Sequence, residues 1–300
     1  MVLRADQVGG WQVLRSADRP EYEGVELVGY RDLAGHGLDM RVLPEPGLTI
    51  VLVIDGELRI DRTRSVAAGI ASGVGVNSVP VRGRDLVCVD IHLSPLAAHS
   101  VLDGAVAELA GTVVSIEDLW GATAHRIRAA LAGTDRWEER FSELRATLAD
   151  KLHTNRSVDP EVAFVWRELV ANAGHRRIGD LAAETGWSRK RLWSRFTAQI
   201  GVTPKRAAML MRLTPAIEAI VAGTAVADVA ARCGYADQSH LARDLKGLAG
   251  YTPASLFRDR YEPGLERETS AQEPDDLPEG IPHGRSGDGS TGWRSAGAGK

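Results

Sequence analysis

The sequence predicts an α+β protein: an N-terminal antiparallel β-sandwich or small barrel with a helical extension, then an all-α half built on a double helix-turn-helix. Three observations carry this. Short β-branched runs broken by turn residues fill the chain to about residue 95. Apolar residues recur at helical spacing from Ser94 onward. Between Ile178 and Pro253 one phrase occurs twice. A chain of 300 residues is long enough to bury a core in each half.

The strand-like runs are Val25–Tyr30, Leu48–Ile54, Glu57–Ile60 and Leu86–His92. Gly, Pro and Asp-Gly punctuation separates them, and Asp55-Gly56 between two apolar runs predicts a hairpin. Such a pattern closes into an antiparallel sandwich or barrel.

Ile116, Leu119, Trp120, Ile127 and Leu131 predict one helix, with Ser115 as its N-cap and Asp118 three residues on. Trp137, Phe141, Leu144, Leu148 and Leu152 form one apolar stripe. The stripe either packs on the sheet or serves as a dimer helix, and the first is favoured. A break at 154–160 precedes a helix marked by Val162, Val165, Trp166 and Leu169. From 262 to 300 no apolar periodicity survives, and Gly, Ser, Pro and acidic residues predict a disordered tail in which Trp293 is a lone aromatic. The expected domains are therefore 1–154, 155–261 and the tail 262–300.

The repeated phrase aligns Ile178, Asp180, Leu181 and Ala182 with Val226, Asp228, Val229 and Ala230, then Gly186 and Trp187 with Gly234 and Tyr235. One residue longer in its second turn, the copy resumes as Leu192 with Leu241, Phe196 with Leu245, and Gly201–Pro204 with Gly250–Pro253. Each glycine makes the turn that lets a second helix cross the first. Ser188 and Asp237 are the expected N-caps. With Leu192 and Phe196 inward, Lys190, Ser194 and Thr197 point out, flanked by Arg191 and Trp193. With Leu241 and Leu245 inward, Ser239, Arg243 and Lys246 point out, with Gln238 and His240 near the rim. A helix of this width fits a DNA major groove. Trp193 is expected either on thymine methyls and sugar or against a neighbouring helix. Arg243 has the fork that reads guanine O6 and N7. Arg177, Arg189, Arg191, Lys205, Arg206 and Lys246 suit phosphates, which position without specifying.

Charge follows the same division. The net −4 is distributed as −6 over 1–154, +6 over 155–261 and −4 over 262–300. The basic segment is the repeated one, as nucleic-acid binding requires. Five lysines against thirty-one arginines, with abundant Ala and Gly, reads as a coding habit and not a functional signal. Cys88 and Cys233 are far apart and give no disulfide or zinc framework. Neither a signal pattern nor a membrane-length apolar run is present, so a cytoplasmic protein is expected.

The repeat, its Gly-x-Thr-Pro closures and the connecting segment with Arg212-Leu213 resemble the DNA-binding domain of the AraC/XylS family of bacterial transcription regulators, over about 165–260. The resemblance implies seven helices, with a central one holding two recognition helices about 34 Å apart, one turn of B-DNA. It implies base contacts from Lys190, Trp193 and Ser194 in the first recognition helix, and from Gln238, Ser239, His240 and Arg243 in the second. Leu245 and Leu248 replace aromatics common in the family, implying a looser core, and Pro215 is expected to kink the central helix. In the N-terminal half the likeness is one of outline alone, strands then helices, which implies a cupin-like barrel for effector sensing or dimerisation. Partners on this reading are double-stranded DNA first, with a small-molecule effector, RNA polymerase and a second copy of the chain as further candidates. No cofactor or metal is expected, and the effector site is unassigned.

Three other readings compete. A cupin-type metal enzyme needs clustered ligands, whereas His36, His92 and His99 are scattered. A methyl-accepting DNA-repair protein needs an activated thiol, and neither Cys88 nor Cys233 has basic or His neighbours of the sort that lower a thiol pKa. An architectural DNA-bending protein would not need an acidic N-terminal half of this size.

Overall fold

The β-branched runs assemble into one nine-stranded antiparallel sheet: β1 Leu3–Val8, β2 Trp11–Ser16, β3 Val25–Asp32, β4 Leu38–Val42, β5 Leu48–Ile60, β6 Arg64–Val66, β7 Gly69–Ser72, β8 Val79–Leu93 and β9 Val113–Ser115. In this computed structural model the residues described are 3–8, 10–16, 23–60, 64–76, 79–152 and 157–256. The tail from 262 to 300 lies outside them. The strand order is β1-β2-β3-β8-β5-β7-β9, with β4 paired to β8 and β6 to β5.

The Asp55-Gly56 hairpin expected from sequence is instead a bulge inside β5. Both apolar runs around it pair with the same long strand, β8, and the register shifts between Val53 and Glu57. Gly56 takes φ +84°, and a Cβ there would lie 2.4 Å from the Asp85 carbonyl oxygen. A turn dipeptide is thus consumed by a local kink, because one partner strand is long enough to hold both runs.

Helices follow: α1 Pro95–Val101, α2 Val106–Leu109, α3 Ile116–Trp120, α4 Ala122–Ala132 and α5 Trp137–Leu152. Ser115 caps α3, its hydroxyl accepting the Asp118 N–H at 3.1 Å. The single helix expected over 116–131 is two, broken where Gly121 adopts φ +53°, a conformation cheap only for glycine. The stripe on α5 is used within the chain: Trp137, Phe141, Leu144 and Leu148 are buried. Trp137 lies flat enough on β3 that a Cβ on Gly29 would stand 2.6 Å from its ring.

The C-terminal half is helical: α6 Pro160–Ala171, α7 Ile178–Glu184, α8 Arg189–Ile200, α9 Pro204–Val221, α10 Val226–Arg232 and α11 Gln238–Ala249. Thr203 caps α9, accepting from the Arg206 N–H at 3.1 Å, and Pro204 takes the first helical position, where its missing N–H costs nothing. The helix runs unbroken through Pro215, beside which Thr214 donates its hydroxyl to the Leu210 carbonyl. Leu245 and Leu248 are buried, so aliphatic side chains fill the second unit's core.

The sheet has a buried cluster on each face. One, with Ile50, Leu52, Val89 and Ile91, is continuous with the helical half, which meets it through α1 and α2, and the other gathers Val53, Ile70, Val81 and Cys88. α8 packs against α1 and α2, and Gly201 at its C-cap comes so close that a Cβ would stand 2.7 Å from the Ala110 Cβ.

Candidate nucleic-acid interface

Each helix-turn-helix is built alike. In the first, Leu181 and Ala182 of α7 and Leu192, Phe196 and Ile200 of α8 are buried, with Phe196 6.4 Å from the Trp166 ring. Gly186 makes the turn at φ +69°, and the Ser188 hydroxyl accepts the Arg191 N–H at 3.2 Å. In the second, Val229 and Ala230 of α10 and Leu241 and Leu245 of α11 are buried. Gly234 turns at φ +69°, and the Asp237 carboxylate accepts the His240 N–H at 2.7 Å. Both caps satisfy N–H groups that a helix start leaves open.

On α8 the exposed side chains are Arg189, Lys190, Arg191, Trp193, Ser194, Arg195 and Ala198. Trp193 is 48% exposed. Arg191 lies 4.3 Å from the Trp187 ring centroid, a cation–π contact that holds it beside the turn. Arg189 lies over α7, filling the space above Gly179. Arg195, which the sequence did not single out, forks onto Asp159 at 2.6 and 2.8 Å and holds that carboxyl below its ordinary range. Thr197 is a correction. Its hydroxyl is buried without a partner, because the C-terminal half of α8 turns inward toward α1 and α2.

On α11 Gln238, Ser239, Arg243 and Lys246 are exposed. Arg243 donates from Nε to the Ser239 carbonyl at 3.2 Å, which lays the side chain back along the helix. Lys246 reaches the Gly250 carbonyl at 3.1 Å and so also caps its own helix end. His240 stands at the rim, as expected, with contacts to its own chain. Its Nδ1 accepts from the Ala236 N–H at 3.5 Å, its Nε2 stands 3.8 Å from Asp244, and its ring meets Tyr235 edge-on at 5.2 Å. The side chain is nevertheless 39% exposed, at the rim of the helix.

Of the remaining cations, Arg177 and Lys205 are exposed. Arg206 is the second correction: it is half-buried, donating from Nη2 to the Gly75 carbonyl at 3.2 Å. It holds the sheet region instead of standing free for a phosphate. No spacing rule in the sequence could reveal a partner that distant.

His36 is exposed in a loop, His92 lies in β8 and His99 in α1, three separate places. Among the described residues no group of three or more His, Cys, Asp or Glu could hold a metal ion. Burial pushes the Cys88 thiol well above its ordinary range and raises Cys233 as well, the opposite of activation. No described helix is long and apolar enough to cross a membrane.

The two capped units on one helical scaffold define a DNA-binding module, and comparison with known proteins agrees. Residues 181–259 match a family described as "Helix-turn-helix domain" and form a helix-turn-helix domain of the AraC type. An uncharacterized HTH-type transcriptional regulator, YbfI of Bacillus subtilis, is 36% identical over 64 residues, which are 21% of this chain and 23% of that protein. The chain thus matches under a quarter of that relative's length. Among solved structures, ToxT from Vibrio cholerae aligns over 79% of this chain and 99% of its own at 12% identity and TM-score 0.45. The C-terminal domain of the response regulator AraT from Geobacillus stearothermophilus aligns over 38% of this chain and 95% of its own at 17% identity and TM-score 0.32.

Proposed function

We propose that the chain is a sequence-specific transcription regulator of the AraC type, acting in the cytoplasm on double-stranded DNA. α8 and α11 enter successive major grooves. Lys190, Trp193 and Ser194 read one half-site, and Gln238, Ser239 and Arg243 read the other. Arg177, Arg189, Arg191, Lys205 and Lys246 neutralise phosphates. The observation that carries this is the pair of side-chain-capped helices, each with its apolar side buried and its polar and cationic side open.

Residues 1–154 would modulate this by binding a small molecule or a second copy of the chain. The face of the sheet turned away from α5 offers a place for the ligand. There Arg15, Glu26, Tyr30, Asp90, His92 and Thr49 stand on adjoining strands: Glu26 is paired with His92, His92 with Thr49, and Arg15 with the Val28 that faces Asp90. The Thr49 hydroxyl and His92 Nδ1 are 3.2 Å apart. Burial raises the Asp90 carboxyl to about 7, with Glu45 adding to it, and lowers His92 to about 4. Such half-desolvated polar groups recognise a small polar ligand by hydrogen bonds.

Footprinting of the purified chain on fragments of its source genome tests the reading. It predicts discrete sites with two protected major-groove segments about 10.5 base pairs apart, and an affinity that falls steeply with salt. Binding that is uniform along every fragment would refute sequence-specific regulation.

A further inference from the structure

The two helix-turn-helix units meet where the His175 ring lies against Gly234 and, beside it, where the Arg212 side chain of α9 reaches into both. Its Nη1 donates to the Gly174 carbonyl at 3.2 Å, just past the end of α6 in the first unit. Gly174, at φ +73°, lets that end approach α9 so closely that a Cβ would lie 2.2 Å from the Ala208 carbonyl oxygen. On its other side the Arg212 guanidinium carbon is 6.0 Å from the Tyr235 ring, in the turn of the second unit. Tyr235 in turn carries the His240 ring, and His240 faces Asp244, whose side chain is only 14% exposed. The path therefore runs from the first unit through α9 to the recognition helix of the second.

The polar atoms of this junction are buried and under-satisfied. Arg212 Nε and Asp244 Oδ2 are each buried without a hydrogen-bond partner, and the Tyr235 hydroxyl is buried beside them. A half-buried guanidinium and a mostly buried carboxylate on either side of one aromatic ring are each costly to leave without partners. The Tyr235 hydroxyl senses both, raised by burial and by Asp244 and lowered by Arg212. Any displacement of α11 relative to α9 draws the Tyr235 ring off the Arg212 guanidinium and strains the bond to Gly174, so the pose is held by more than apolar packing.

Resting on the DNA-binding reading above, we propose that Arg212 is a positioning residue: it fixes α11 relative to the first unit and thereby sets the half-site spacing the protein accepts. One added base pair turns the second half-site by about 34° about the duplex and moves it about 3.4 Å, more than a held helix can follow.

The test uses the full chain and a footprinted site resynthesised with one base pair removed, none added, one added and two added between the half-sites. Wild type is expected to favour one spacing by about tenfold or more. Arg212→Met keeps the aliphatic stem and should flatten the profile to within about threefold, losing affinity at the best spacing while gaining relatively at its neighbours. Asp244→Asn, which keeps shape and helix, should flatten it in the same sense, and covers the case in which Arg212→Met fails to fold. A wild-type profile retained by either folded variant, or an equal loss at every spacing, overturns the proposal. Failure of the wild-type chain to bind any duplex would overturn the regulator reading itself, a different result from an unchanged profile.

Discussion

Arg206 of α9 donates to the carbonyl of Gly75, in the loop between β7 and β8, at 3.2 Å. The bond joins the sheet region to the start of the helix that links the two DNA-reading units. Around it Gly75, at φ +63°, sits where a Cβ would stand 3.1 Å from Leu210 Cδ1 and 3.3 Å from Arg206 Nε. The joint is closed by the absence of a side chain as much as by the bond.

Gly75→Ala should therefore lower stability by about 1–2 kcal/mol, combining left-handed backbone strain with crowding against α9. Thermal unfolding with limited proteolysis checks this. An unchanged melting temperature and cleavage pattern would mean that the loop does not clasp α9.

Arg243→Ala and Lys205→Ala should weaken DNA binding in different ways. The first removes a fork suited to one guanine and should relax preference at one position, by roughly tenfold. The second should reduce affinity evenly on every sequence and lower the salt slope by about one. Binding to randomised sites at several salt concentrations separates them, and the same uniform loss from both would refute the division of roles.

Thr197→Val replaces a buried hydroxyl that has no partner by a methyl of similar size. It should leave DNA affinity intact and be neutral or stabilising by up to about 1 kcal/mol. Ser194→Ala, one turn nearer the start of the same helix and exposed, should weaken binding instead. A drop in affinity from Thr197→Val with no change in melting temperature would put residue 197 back among the DNA contacts.

Asp90 and His92 should oppose each other in the dependence of stability on pH. Between its ordinary 3.8 and about 7, Asp90 in the folded chain keeps a proton that the unfolded chain has lost, so rising pH favours unfolding. Between about 4 and its ordinary 6.5, folded His92 lacks a proton that the unfolded chain holds, so rising pH favours folding. The two slopes cancel over much of the shared window. Asp90→Asn should unmask the histidine: stability should climb from pH 4 to 6.5, and at pH 8 the variant should exceed wild type by an amount on the order of 3 kcal/mol. Parallel denaturation curves for the two proteins across pH 4–8 would contradict this.

The helix-turn-helix units were legible because their signals are local. Ser188, Asp237, Gly186 and Gly234 each act on residues within one turn of themselves, and Leu192 and Phe196 mark a buried side through the helical period. The errors share an opposite cause. Asp55-Gly56 became a bulge because β8 is long enough to pair with both flanking runs. Arg206 and Thr197 were drawn inward by α2 and by the loop at Gly75, segments about a hundred residues away in the chain. His240 fell on the expected helix and near the rim, where its edge-on contact with Tyr235 and its approach to Asp244 were beyond the reach of periodicity. Periodicity assigns a side chain to a face; it is silent on which distant element covers that face.

The sheet half leans on α8 and the first turns of α9, while α10 and α11 make their main contacts with α9 and each other. A disturbance beginning among the strands thus arrives at one reading head at once and at its twin only after crossing a rod of eighteen residues. On the proposed function, the latter acts as a steady anchor, and occupancy is tuned by loosening or tightening the former.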